Sequence, residues 1–260
     1  MHTYPAAFIS LICLLYTSPL LAKEFKISTI DACPYMCQDK PQKGYVIDLL
    51  NEIFKGEKAS LKFVFLPWNR AIRLANLGEI SMVLAPTKKE APSLNYPTEA
   101  IGTQRECFIT RADSHWEYVS DQSLKNSTTI IPYGWGHIDQ LKSKFGQPTF
   151  DRHITLFEYD ENYYSRAILM LEKGRATAMF ADPVSLQHYL KLASKKQIAL
   201  KNVGCISTSL LYIGISPHPN VDSAELAALL DSGIRALRLS GKLASILQEY
   251  NLSDWKDEQQ

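Results

Sequence analysis

Strong charge of either sign is missing from this chain. Its 28 Lys and Arg balance 27 Asp and Glu, the formal net charge is +1, and no basic run exceeds Lys88-Lys89 or Lys195-Lys196. Phosphate recognition needs a concentrated basic surface, so nucleic acid is excluded as an expected partner. Clustered metal ligands are also lacking. The six histidines (2, 115, 137, 153, 188, 218) stand singly, and Cys33-x-x-x-Cys37 has no second ligand pair at useful spacing. A zinc site is therefore disfavoured, and no metal or cofactor is expected. There is no phosphate loop and no nucleophile–base arrangement, so catalysis is not expected either. Past the N-terminus no apolar stretch approaches the ~18 residues that a membrane span needs.

What is present begins with the N-terminus. Residues 1–22, MHTYPAAFISLICLLYTSPLLA, carry no Asp, Glu, Lys or Arg, and charge starts abruptly at Lys23-Glu24. The apolar centre FISLICLL is too short to cross a bilayer and reads as a secretory signal peptide ending at Ala22. The alternative is a retained signal anchor. Export, to a periplasm, leaves Cys33, Cys37, Cys107 and Cys205 in an oxidising compartment, where four cysteines permit three pairings. Cys33 and Cys37 are a disulfide candidate, since they could close a small loop around Pro34-Tyr35. Reduced, partly buried thiols are the competing reading.

The remainder, 46% hydrophobic over 260 residues, is an ordinary globular composition able to bury a sizeable core. FKISTID alternates as a strand. GYVIDLLNEIF places Val46, Leu50, Ile53 and Phe54 on one helical face, LKFVFLP is a second strand, WNRAIRLANLG a second helix, and ISMVLAP a third strand. Such β-α-β-α-β order predicts a parallel sheet with right-handed crossovers. After the extended run ECFITRAD and the polar segment SHWEYVSDQSLKNS, a second α/β unit follows. It comprises TTIIPYGWG, HIDQLKSKF, NYYSRAILMLEKG, ATAMFADP and VSLQHYLKLAS. TSLLYIGIS is a second extended crossing, and two C-terminal helices close the chain, with Ser223 placed to cap the first. The fold class expected is α/β, with two lobes, each a mostly parallel sheet flanked by helices. The chain divides into lobe one (23–108 and 209–260) and lobe two (109–208). Two hinge crossings leave the carboxyl ends of the strands facing across a cleft.

The ordered set GYVIDLLNEIF, WNRAIRLANLG, TKKEAPSLNYP, LEKGRATAMFAD, LYIGIS and GKLASILQEYNL resembles the periplasmic solute-binding proteins of family 3 over Lys23 to about Leu252. These are the amino-acid-type binding proteins of ABC transporters. The resemblance implies a venus-flytrap fold without catalytic machinery, a small polar solute such as an amino acid or related amine, and a membrane permease as partner to a monomeric receptor. A sensor module reporting to a membrane signalling protein is the alternative, and a dehydratase-like enzyme on the same scaffold is a third class.

The same resemblance makes APTKKEAPSLNYP the lip of the cleft, with Ala85 and Thr87 at the site. The family has Thr, two residues, then an Arg that grips the ligand's carboxylate; here Glu90 occupies the Arg position, and Ser81 stands where the family has an Asp. Asp182 matches the family residue that contacts the ligand's amino group, although ADPVSLQ also fits a helix N-cap. Gly134 and Gly136, around Trp135, resemble the lobe-two loop whose amides approach ligand. Tyr35, Trp68 and Trp135 supply aromatic faces suited to cations or planar solutes, with a core or surface role as the alternative. Arg70 is either a substitute anion anchor or a solvated helix residue.

Overall fold

The computed structural model describes residues 23–133, 137–193 and 198–257. The segment read as a signal peptide, and Gly134, Trp135 and Gly136, lie outside the described residues.

Two sheets organise the chain. In the first, β1 (Lys23–Thr29), β2 (Ala59–Phe65) and β3 (Met82–Leu84) run parallel, joined through α1 (Tyr45–Ile53) and α2 (Trp68–Asn76). A short return strand, Ile213–Ile215, pairs antiparallel with β3 and completes a four-stranded sheet in which β1 lies between β2 and β3. Two C-terminal helices, Ser223–Leu239 and Lys242–Glu249, return to this sheet. Their Leu226, Leu230, Ile234, Leu243 and Leu247 share a core with Val46, Leu50 and Ile53 of α1. The close crossing depends on Gly233, where a Cβ would come within 2.7 Å of the Ile53 side chain.

The second sheet is mixed. β4 (Gly102–Arg111) enters it from lobe one and pairs antiparallel with β7 (Ala178–Ala181). β5 (Thr129–Pro132) runs parallel to β7 and to β6 (Ile154–Phe157). β8 (Leu200–Leu211) carries the chain back beside β4, giving the order β6-β5-β7-β4-β8. Thus the two crossings are one long antiparallel pair, from Gly102 opposite Leu211 to Arg111 opposite Leu200, and a Cys107–Cys205 disulfide ties them together. The lobe boundaries expected at 108/109 and 208/209 both fall inside these strands. The helices of this lobe are α3 (Ile138–Phe145), α4 (Gln147–His153), α5 (Tyr163–Glu172) and α6 (Pro183–Leu192); in chain order the C-terminal pair are then α7 and α8, and the return strand is β9.

Three local readings change. TSLLYIGIS is not one strand: β8 stops at Leu211 and β9 starts at Ile213, so the chain changes sheets at Tyr212. Asp222, not Ser223, caps α7, its carboxylate accepting from the Glu225 backbone N–H at 2.9 Å. α4 and β6 are additional elements, separated from α3 by Gly146 at φ 76° with Pro148 in the first turn. No helix among the described residues is long and apolar enough to cross a membrane.

Candidate functional site

The loop after β1 is shaped by its own short-range bonds. Ala32 and Met36 form an antiparallel bridge, and a disulfide joins Cys33 to Cys37. The carbonyls of Pro34 and Tyr35 accept the first amides of α1, from Tyr45 and Val46, satisfying donors that a helix N-terminus leaves open. Gly44 makes this docking possible, because a Cβ there would collide with the Tyr35 carbonyl and its φ is 101°.

Tyr35, so fixed, is only 5% exposed and reaches lobe two. Its hydroxyl proton is shared between the Thr103 carbonyl oxygen (2.8 Å) and Asp182 Oδ2 (3.1 Å). Asp182 ends β7 and caps α6. Oδ2 also accepts from the Ser185 backbone N–H and Oγ, both at 3.0 Å, while Oδ1 accepts from the Arg105 N–H at 3.2 Å. Burial pushes the Asp182 pKa up, and those donors oppose the shift. Asp182 is thus a helix cap and also the lobe-two end of a buried bond between lobes.

The lip after β3 holds Glu90 and Lys88 in defined contacts. Ala85 sits in the left-handed region at φ 57°, turning the chain out of the strand. Thr87 and Glu90 then form a reciprocal capping pair. Glu90 Oε2 accepts from the Thr87 N–H (3.1 Å) and hydroxyl (2.9 Å), and Thr87 Oγ1 accepts from the Glu90 N–H (3.2 Å). The Lys88 ammonium lies 4.3 Å from the Tyr212 ring centroid and 5.8 Å from that of Tyr96. Trp68 opens α2, half-buried against the Ala71–Leu94 cluster, and Arg70 is exposed on the same turn.

A cavity of about 530 Å³ opens between the disulfide loop of lobe one and, in lobe two, the start of α5 and one side of α6 along its length. Asp31, Lys40 and Cys33 line it from one side; Tyr159, Glu161, Tyr164, His188 and Tyr189 face them from lobe two. The Tyr159 hydroxyl sits 3.4 Å from that of Tyr164. Burial, and then Lys191, lowers the pKa of His188 and favours its neutral form. Among the described residues of the expected set, Cys33 alone lines this cavity; Tyr35 and Asp182 lie beside it in the lobe contact. Trp68, Arg70, Ala85, Thr87 and Glu90 are at the ends of β2 and β3 and do not line it. The missed lining residues had one legible signal, the tyrosine- and acid-rich run FEYDENYY.

The sequence model for bacterial extracellular solute-binding proteins, family 3, matches residues 27–253. The chain belongs to this family. Solved structures share the fold at low identity. A mutant of the T. maritima protein ArgBP is 18% identical, with TM-score 0.64 over 87% of this chain and 94% of that one. ArtJ of Geobacillus stearothermophilus, an arginine-, lysine-, histidine-binding protein, is 18% identical with TM-score 0.66 over 92% and 100%. A histidine kinase sensor domain is 15% identical with TM-score 0.66 over 89% and 97%. No curated protein sequence matches. For this family 3 protein the consequence is concrete: two lobes meet through Tyr35 and Asp182, and an acidic, tyrosine-rich cavity lies next to that meeting point.

Proposed function

We propose that this family 3 protein is an exported receptor that captures a small polar solute carrying an amine, and hands it to the permease of an ABC transporter. The observation that carries the reading is the cavity of about 530 Å³ walled by both lobes. That volume suits a metabolite of amino-acid size or somewhat larger. Its carboxylates, Asp31, Asp160 and Glu161, outnumber its one lysine, Lys40, and its tyrosine rings offer faces to a cation. An Arg clamp for a carboxylate is not part of the reading, since Glu90 occupies the matching position and is bonded to Thr87.

Binding energy does mechanical work here rather than chemistry. A solute touching both lobes favours the closed form by its differential affinity for that form. Tyr35–Asp182 adds a bond that exists only while the lobes meet. The closed surface is what a permease recognises, and the receptor acts as a monomer without catalysis. The fold shared with a histidine kinase sensor domain supports a second reading, in which the same closed form signals to a membrane protein.

A thermal-shift screen of the purified protein against amino acids, polyamines, sugars and organic acids tests the ligand class. A solute present at 100 times its Kd stabilises the fold by about 2.7 kcal/mol. We expect cationic amines to raise Tm. A response confined to organic acids, or none across the panel, would overturn the assignment.

A further inference from the structure

The Cys33–Cys37 loop has a neighbour that sequence spacing hides. Its sulfurs belong to the lobe-one loop, while His188 stands in the second turn of α6 in lobe two. One imidazole nitrogen and the two sulfur atoms lie within 4.8 Å of one another. Cys33 and His188 also line the cavity, so solvent and ions reach the group. In a tetrahedral site, metal–sulfur bonds of ~2.3 Å and metal–nitrogen bonds of ~2.0–2.1 Å place neighbouring ligand atoms about 3.5–3.8 Å apart. The two sulfurs are bonded to each other in this structure and must separate to reach that spacing, while the imidazole nitrogen lies no more than 4.8 Å from either.

We propose that Cys33, Cys37 and His188 form a metal site spanning the two lobes, which in the dithiol state takes a zinc-like, thiophilic divalent cation. The softness of two thiolates with an imidazole selects zinc or cobalt over magnesium or calcium. In this structure the sulfurs are joined, and this oxidised form cannot ligate. Two equivalents of a thiol reductant break the S–S bond, giving two cysteine thiols and the reductant's own disulfide. The cation then replaces both thiol protons, which leave to solvent, and the neutral imidazole completes three protein ligands. The fourth position opens toward the cavity, where water or a donor atom of the solute can occupy it. Disulfide and metal are thus alternative cross-links: the first closes a loop within one lobe, the second fastens that loop to α6.

The observation that motivates this is independent of which solute binds, and so is its test. The purified protein is reduced with a phosphine under anaerobic conditions, desalted and titrated with cobalt(II), with free thiols counted by a chromogenic reagent. We expect a thiolate-to-cobalt charge-transfer band that saturates at one cobalt per chain and disappears on adding zinc. His188→Ala should weaken cobalt binding at least about tenfold, since loss of even an outer-shell partner typically costs about 10–100-fold. Cys33→Ser with Cys37→Ser should abolish the band while circular dichroism stays native. Should that pair misfold, His188→Ala alone decides, because the side chain is only half-buried. No band with the Cys33 and Cys37 thiols free, or a band unmoved by His188→Ala, overturns the site. A band surviving in the double serine variant does so too, by placing the metal on other thiols.

Discussion

Glu90 looks, in sequence, like the loss of a ligand-gripping arginine; in three dimensions it is half of a capping pair with Thr87. Its carboxylate is already held by two donors at the lip, so its first role is to fix the turn after β3. Glu90→Ala should lower stability by about 1 kcal/mol, the usual cost of a lost cap, seen as a reduced urea midpoint at unchanged slope. Solute affinity should stay unchanged; a tenfold loss would return Glu90 to the binding surface. Tyr35 makes the opposite bargain, buried and spent on a bond between lobes. Tyr35→Phe removes the donor shared by Thr103 and Asp182 and should cost about 1–3 kcal/mol, as for an acceptor left buried and unpaired. A variant as stable as the parent would show that the bond does not hold the lobes.

Among the elements, β4 and β8 carry the chain between the two sheets. They pair along most of their length, and the Cys107–Cys205 disulfide spans 98 residues of sequence, against 4 for Cys33–Cys37. In chain-entropy terms the long loop gains about 5 kcal/mol from its cross-link and the short one about 2 kcal/mol. Replacing Cys107 and Cys205 by Ala should therefore depress stability far more than opening the short loop by serine substitution. Equal losses in calorimetry would refute the ranking. The difference also suits their places, with a permanent staple in the hinge strands and a weaker one at the cavity wall.

At the scale of the molecule, buried phenols set an alkaline limit. Burial raises Tyr35 well above the ordinary value of 10.0, reinforced by the Asp182 charge, and burial likewise raises Tyr163 and Tyr164, with a smaller push from Tyr159. Above pH 10 the unfolded chain releases these protons while the native protein keeps them. The native state then binds more protons, so stability is fully present below the unfolded value and falls as pH rises toward the folded ones. Thermal unfolding followed from neutral to strongly alkaline pH should show Tm declining once pH 10 is passed, with a shallower decline in Tyr35→Phe. Identical slopes in both proteins would mean that Tyr35 contributes nothing to it. Saturating solute should lower the radius of gyration in small-angle scattering, and an unchanged radius would argue against hinge closure.

The sequence by itself determined the elements and the fold class. Apolar periodicity is a local property, and α1, α2, α5 and α6 each carry it within about ten residues, as do β1 to β3. Only short pieces escaped, such as α4 and the break at Tyr212, because a seven-residue helix or a change of sheet leaves little periodic trace. The site was legible only in part. Tyr35 and Asp182 stood out one at a time, but nothing in a linear reading joins residues 147 positions apart through a single hydroxyl. For the same reason His188 came beside the Cys33–Cys37 pair only in the folded protein, as did the acidic, tyrosine-rich wall. Spacing along a chain encodes neighbours on one helix or strand; contacts between lobes are fixed by how two sheets pack, and that is decided only once both cores have formed.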